Sequence, residues 1–86
     1  MPKISSFYGI IIMMFFNEHN PPHFHVKYGE FKAQIRISDF GIIEGKLPAR
    51  TLGLVVEWAA NHKDELMNNW ERARKNEKIQ DIEPLL

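Results

Sequence analysis

The stretch "HFHVKYGEFKAQIRI", residues 23–37, decides the fold of this chain. It reads as two strands, "HFHVKY" over 23–28 and "FKAQIRI" over 31–37, around Gly29-Glu30. Glycine at the first central position suits a two-residue type II′ hairpin, because that position requires positive φ. A two-residue turn fixes the pairing. Tyr28 meets Phe31, Val26 meets Ala33 and Phe24 meets Ile35, all apolar and all on one face. The other face pairs Lys27 with Lys32, His25 with Gln34, and His23 with Arg36. Neighbours agree in character at every rung, as a register with one buried face demands.

Upstream, "FYGIIIMMFF" over residues 7–16 is rich in Ile, Phe and Tyr and is read as a strand. Both of its faces are apolar: Tyr8, Ile10, Ile12, Met14 and Phe16 on one, Phe7, Ile11, Met13 and Phe15 on the other. Such a strand needs cover on both sides. In so small a chain, one cover is expected from a homodimer mate or a small partner protein. "NEHNPP" then breaks the strand, because prolines are poor ladder donors and Pro21 pushes Asn20 toward extended geometry.

Downstream, "SDFG" and a short extended "IIEGKL" precede a change of period. Leu52, Val55, Val56, Ala59, Leu66, Met67, Trp70 and Ala73 follow helical spacing over about 49–75. Pro48 suits a helix start. The seam at His62 and Lys63 is polar, and Asn61-x-x-Asp64 offers a cap for a second helix. The seam lacks Gly and Pro, so one long helix is favoured over two consecutive ones. The tail "KIQDIEPLL" is expected to be extended and to dock through Ile79, Ile82 and Leu85. The expected fold is therefore α+β: a small antiparallel sheet of three main strands packed by one long or two consecutive C-terminal helices.

Residues 1–86 hold enough chain for one domain with one modest core. Eleven basic and eleven acidic residues cancel, so no global field draws the chain to nucleic acid or anionic lipid. The absence of cysteine excludes disulfides and thiolate zinc sites and fits a cytoplasmic home. The apolar run at 7–16 is shorter than the roughly 20 residues a membrane helix needs. It also lacks a small-residue cleavage site and is followed at once by Asn17 and Glu18, unlike a signal peptide. A cytoplasmic protein that does not span a membrane is expected.

"HNPPHFH", residues 19–25, gathers three of the four histidines. His23 and His25, two apart on a strand, leave from one face, away from the core. They share that face with Lys27, Lys32, Gln34 and Arg36. Polar residues there are also what any solvated antiparallel sheet shows. One sharper reading is acid–base or phosphate chemistry without a cofactor. His23, His25 and Arg36 would be catalytic, with Lys27, Lys32 and Arg36 holding a phosphate or RNA backbone. The face carries few aromatics on which single-stranded bases would stack. The alternative is a divalent metal such as zinc or manganese on His19, His23 and His25, with oxygen from Glu18 or Glu30. His62, on the helix, is read as a boundary residue.

The His-x-His pair resembles the ligand motif of HUH endonucleases. However, Tyr8 and Tyr28, the only tyrosines, both fall in expected strands rather than on a helix. "HFHVKYGE" also resembles half of a cupin motif, but the second half is missing. A broader resemblance runs through "ISSFYGIIIMMFFNEHNPPHFHVKYGE", "GKLPARTLGLVVEWAANHKDELMNNWERAR" and the closing "IEPL". These stretches are similar to the small bacterial domain-of-unknown-function family numbered four-one-six-zero. The resemblance implies bacteria, the cytoplasm and a gene beside that of another small protein, as in toxin–antitoxin pairs. It supplies no catalytic residues. Together these readings lead to a toxin–antitoxin-type component that binds a small protein and presents its histidine face to RNA or phosphate. The alternative is a metal-dependent, nuclease-like enzyme using the histidines of "HNPPHFH".

Overall fold

The computed structural model describes residues 3–86. Five strands form one antiparallel meander in the order β1 (Lys3–Phe7), β2 (Ile10–Met13), β3 (His23–Tyr28), β4 (Phe31–Arg36) and β5 (Ile42–Gly45). Two helices follow, α1 (Ala49–Asn61) and α2 (Lys63–Arg74). The β3–β4 hairpin has the expected register at all six rungs, from Tyr28–Phe31 to His23–Arg36. Gly29 stands at φ +59, while Glu30 keeps a negative φ, in keeping with a type II′ turn.

Three expectations are corrected. The strand read over 7–16 is two strands, because Tyr8 (φ +51) and Gly9 (φ +78) turn the chain between β1 and β2. With that division, and with the short extended segment at Ile42–Gly45 pairing as β5, the sheet has five strands rather than three main ones. The long helix is two, parted at His62, whose φ of −131 leaves the helical region. The Asn61–Asp64 cap does not form: His62 holds the cap position of α2 and makes no side-chain capping bond.

One sheet face builds the core. Ile10, Ile12, Phe24, Val26 and Ile35 lie under Val55, Trp58 and Ala59 of α1 and Leu66 of α2. Trp58 packs its ring 5.5 Å from Phe7 and 6.1 Å from Phe24. The tail docks as expected, with Ile82 buried and Ile79 and Leu85 partly so. It closes the β1 edge: the Ile82 N–H donates to the Ile4 carbonyl at 2.8 Å. Asn69, buried on α2, donates to the Gln80 carbonyl and accepts from the Gln80 N–H, as a strand neighbour would. Among the described residues no helix is long and apolar enough to cross a membrane.

The second apolar face of the first hairpin is largely covered within the chain. Phe7 and Met13 are buried, and Ile11 and Phe15 are half-buried. The ten-residue strand that called for outside cover is thus absent.

Gly45 ends β5 at φ +83, and a Cβ there would stand 2.1 Å from the Lys32 carbonyl oxygen. Gly45→Ala is therefore expected to cost about 2–4 kcal/mol through backbone strain and clash. Urea unfolding measures it, and a midpoint equal to wild type would show that β5 does not need this geometry.

Candidate metal centre

The cluster begins with the loop between β2 and β3. Its Asn20–Pro21 bond is cis, and the loop returns Glu18 to the start of β3. There Glu18, His23 and His25 each offer one ligand atom, and all three atoms lie within 4.8 Å of one another. Strand alternation explains the histidine pair: residues 23 and 25 share a face, and their ring centroids are 5.2 Å apart.

His23 departs from expectation. Its rung places it on the polar face, yet it is only 5% exposed. The Trp70 ring of α2 lies 5.2 Å from the imidazole and accounts for part of this burial. Its Nδ1–H donates to the Pro21 carbonyl at 2.8 Å, so Nε2 carries the lone pair of the neutral ring. That Nε2 is buried and has no hydrogen-bond partner among the described residues. Glu18 Oε1 stands 3.6 Å from it, beyond hydrogen-bond reach. Leaving such a nitrogen unpaired costs about 1–3 kcal/mol.

His25 is more accessible, with its side chain 19% exposed. Its Nε2 contacts Glu18 Oε1 directly, and the Phe15 ring meets it edge-on at 4.5 Å. One carboxylate thus faces both imidazoles.

Two imidazoles and one carboxylate are donor types that could hold a divalent metal. A tetrahedral zinc with bonds near 2.0–2.1 Å holds its ligand atoms about 3.4 Å apart. The His23–Glu18 separation of 3.6 Å matches that spacing, whereas His25 Nε2 and Glu18 Oε1 are in direct hydrogen-bond contact, closer than two ligands of one ion stand, and would have to part to admit a metal. The bond from His23 Nδ1–H to the Pro21 carbonyl fixes the ring's orientation and tautomer, a contact of the kind that metal-binding histidines use.

The other candidates fall elsewhere. His19 is exposed and stands outside the cluster, with Glu18 in its place. Glu30 sits in the hairpin turn at the far end of β3. Arg36 is engaged by Asp39, with Nη1 donating to Oδ2 at 2.7 Å. The Asp39 carboxyl is held below its ordinary range, first by the Gly41 N–H and then by Arg36. His62 bonds Glu65 at the break between the helices, a boundary role. Lys27 and Lys32 sit two rungs beyond His25, as the next pair on the same face. They line a groove of about 390 Å³ together with His25, Phe15, Gln34 and Glu44.

Fold and site together define a small α+β domain whose sheet carries a histidine–carboxylate cluster at one end. The chain belongs to the family described as Domain of unknown function (DUF4160), whose model matches residues 9–71. That span takes in Glu18, His23, His25 and Trp70. Comparison with curated proteins and with solved structures gave no significant match.

Proposed function

We propose that this domain is a divalent-metal-binding protein whose centre is Glu18, His23 and His25, with the chemistry of a metal-activated water. The observation that carries the reading is the buried, unpartnered Nε2 of His23 facing a carboxylate and a second imidazole. A bound cation satisfies that nitrogen and takes Glu18 and His25, now in contact with each other, as its further ligands. Two histidines and one glutamate are a ligand set used by catalytic zinc, which keeps a fourth position for water and lowers its pKa to about 7. Zinc suits imidazole and carboxylate together, and manganese suits the carboxylate.

Elemental analysis of protein purified without chelator tests this. One equivalent of a divalent metal per chain is expected, falling below a tenth in His25→Ala and in Glu18→Gln. Metal-free wild type that also fails to bind added zinc or manganese in calorimetry would end the proposal.

A second reading, a component that pairs with a small protein as in toxin–antitoxin systems, draws support from β5. Among the described residues that strand pairs only with β4, and Ile42 and Ile43 are each 38% exposed on it. An open edge of this kind accepts an added strand. Co-purification with the product of the neighbouring gene, lost in Ile43→Lys, would support it. An unchanged yield of partner with that variant would remove β5 from consideration.

A further inference from the structure

We infer that the groove beside the metal centre binds a phosphate ester through Lys27 and Lys32. The inference adds a ligand class to the reading above and shares His25 with it, but the binding step itself does not require the metal.

The lysines are directly opposite each other on the β3–β4 ladder. Like charges so placed repel and destabilise a hairpin. Neither has an ion-pair partner within 4 Å among the described residues, although carboxylates are as numerous as cations in this chain. A bound dianion would turn this repulsion into a two-point clamp, because each ammonium donates to phosphate oxygens as a compact point charge.

The surroundings fit such a ligand. The next pair on this face toward the metal centre is His25 opposite Gln34, two rungs away, and Gln34 is opposite Glu44 of β5. Gln34 is half-buried and supplies a neutral amide that donates or accepts. Phe15 offers an apolar wall at the His25 end. Residues two apart on a strand are separated by about 6.6–6.8 Å. A phosphate held at the lysine rung therefore lies within one substituent's length of the His25 rung. With His25 neutral, Lys27, Lys32 and Glu44 give the charged lining a net charge of +1. A volume of about 390 Å³ lies within the range of small-molecule sites. Arg36, read from sequence as a third phosphate ligand, has its Nη1 on Asp39 and does not line the groove.

The shared chemistry is the phosphoryl oxyanion, and its source is either a small phosphate ester or an RNA strand. Two probes separate these: phenyl phosphate, and a fluorescein-labelled oligouridylate of ten nucleotides. Both are titrated into metal-free wild type by NMR shift perturbation and fluorescence anisotropy at low salt. Binding that perturbs the Lys27, Lys32 and Gln34 amides is expected. Lys27→Gln/Lys32→Gln should weaken it at least tenfold, and Glu44→Gln should tighten it. Phenyl phosphate binding as well as or better than the oligouridylate per phosphate identifies a small ester. An oligouridylate bound far more tightly, with affinity falling steeply with salt, identifies a strand. Either result sustains the proposal. If neither probe binds, or if the double-lysine variant binds both like wild type, the proposal is overturned. Glu18→Gln, at a residue that does not line the groove, should lose metal and keep phosphate binding, so failure of the metal reading leaves this result interpretable.

Discussion

Metal-free protein given zinc in large excess over its dissociation constant is expected to melt about 15–30 °C higher than without it. At a thousandfold excess, a ligand that binds only the folded state adds about 4 kcal/mol. For a domain of this size each kcal/mol moves the midpoint by about 4–8 °C. Relief of a defect in the metal-free fold, together with the new bonds, is expected to lower the dissociation constant, so that this excess is reached at low zinc concentration. His23 Nε2 is buried and unpaired, and a single carboxylate serves both histidines. The shift should shrink as pH is lowered, because metal must displace protons from its ligands. Differential scanning calorimetry with and without zinc reads it directly. His25→Ala is the informative variant, since that side chain is partly exposed and its loss should spare the metal-free fold. Its midpoint should hardly respond to zinc, whereas His19→Ala should respond in full. Equal shifts in both variants would place the metal somewhere other than this cluster.

The contrast between His19 and Glu18 shows where sequence reading succeeds and where it stops. Period-two alternation and a glycine turn are local signals, so the β3–β4 register was legible down to individual rungs. That register also placed His23 and His25 on one face, which is half of the site. The other half is not local. Glu18 enters because the loop through Asn20–Pro21 returns it to the start of β3, and spacing alone does not choose between Glu18 and His19. His23 is buried beside Trp70, which lies 47 positions away and meets it only after both helices have packed. No pattern in "HFHVKY" carries that information.

The turn at Tyr8–Gly9 was hidden for a different reason. A bulky aromatic at φ +51 is uncommon, so an apolar run with tyrosine before its glycine reads as one strand. Gly9 was the available signal. The polar residues of "KISSF" gave β1 no apolar alternation to announce it. The break at His62 involves neither glycine nor proline. It is held by a half-buried imidazole that bonds Glu65 and lies 5.6 Å from the Trp58 ring.

Trp58 carries the second large prediction. Its side chain is fully buried and ties together parts of the chain that sequence separates. The ring packs against Phe7 of β1, Phe24 of β3 and His62 between the helices. Its indole N–H donates to the Glu83 carbonyl at 2.7 Å, holding the tail. Trp58→Ala removes all of these contacts and leaves a large cavity, so a loss of about 3–5 kcal/mol is expected. Domains of this length are stable by roughly 4–13 kcal/mol in total, so the variant should be poorly folded or nearly unfolded at 37 °C. Trp58→Phe separates the two functions of the side chain. It keeps most of the apolar volume and loses the bond to Glu83, which should cost about 1–2 kcal/mol. Loosening should concentrate in the tail, because Asn69 still holds Gln80 while Glu83 is released. Hydrogen exchange at the Ile82 amide, the donor that closes the β1 edge, should accelerate more than exchange in β3 or β4. Uniform acceleration across the sheet would instead mean that the tail unfolds only with the whole domain. In that case the Trp58–Glu83 bond stabilises the fold as a unit and does not act as a local latch.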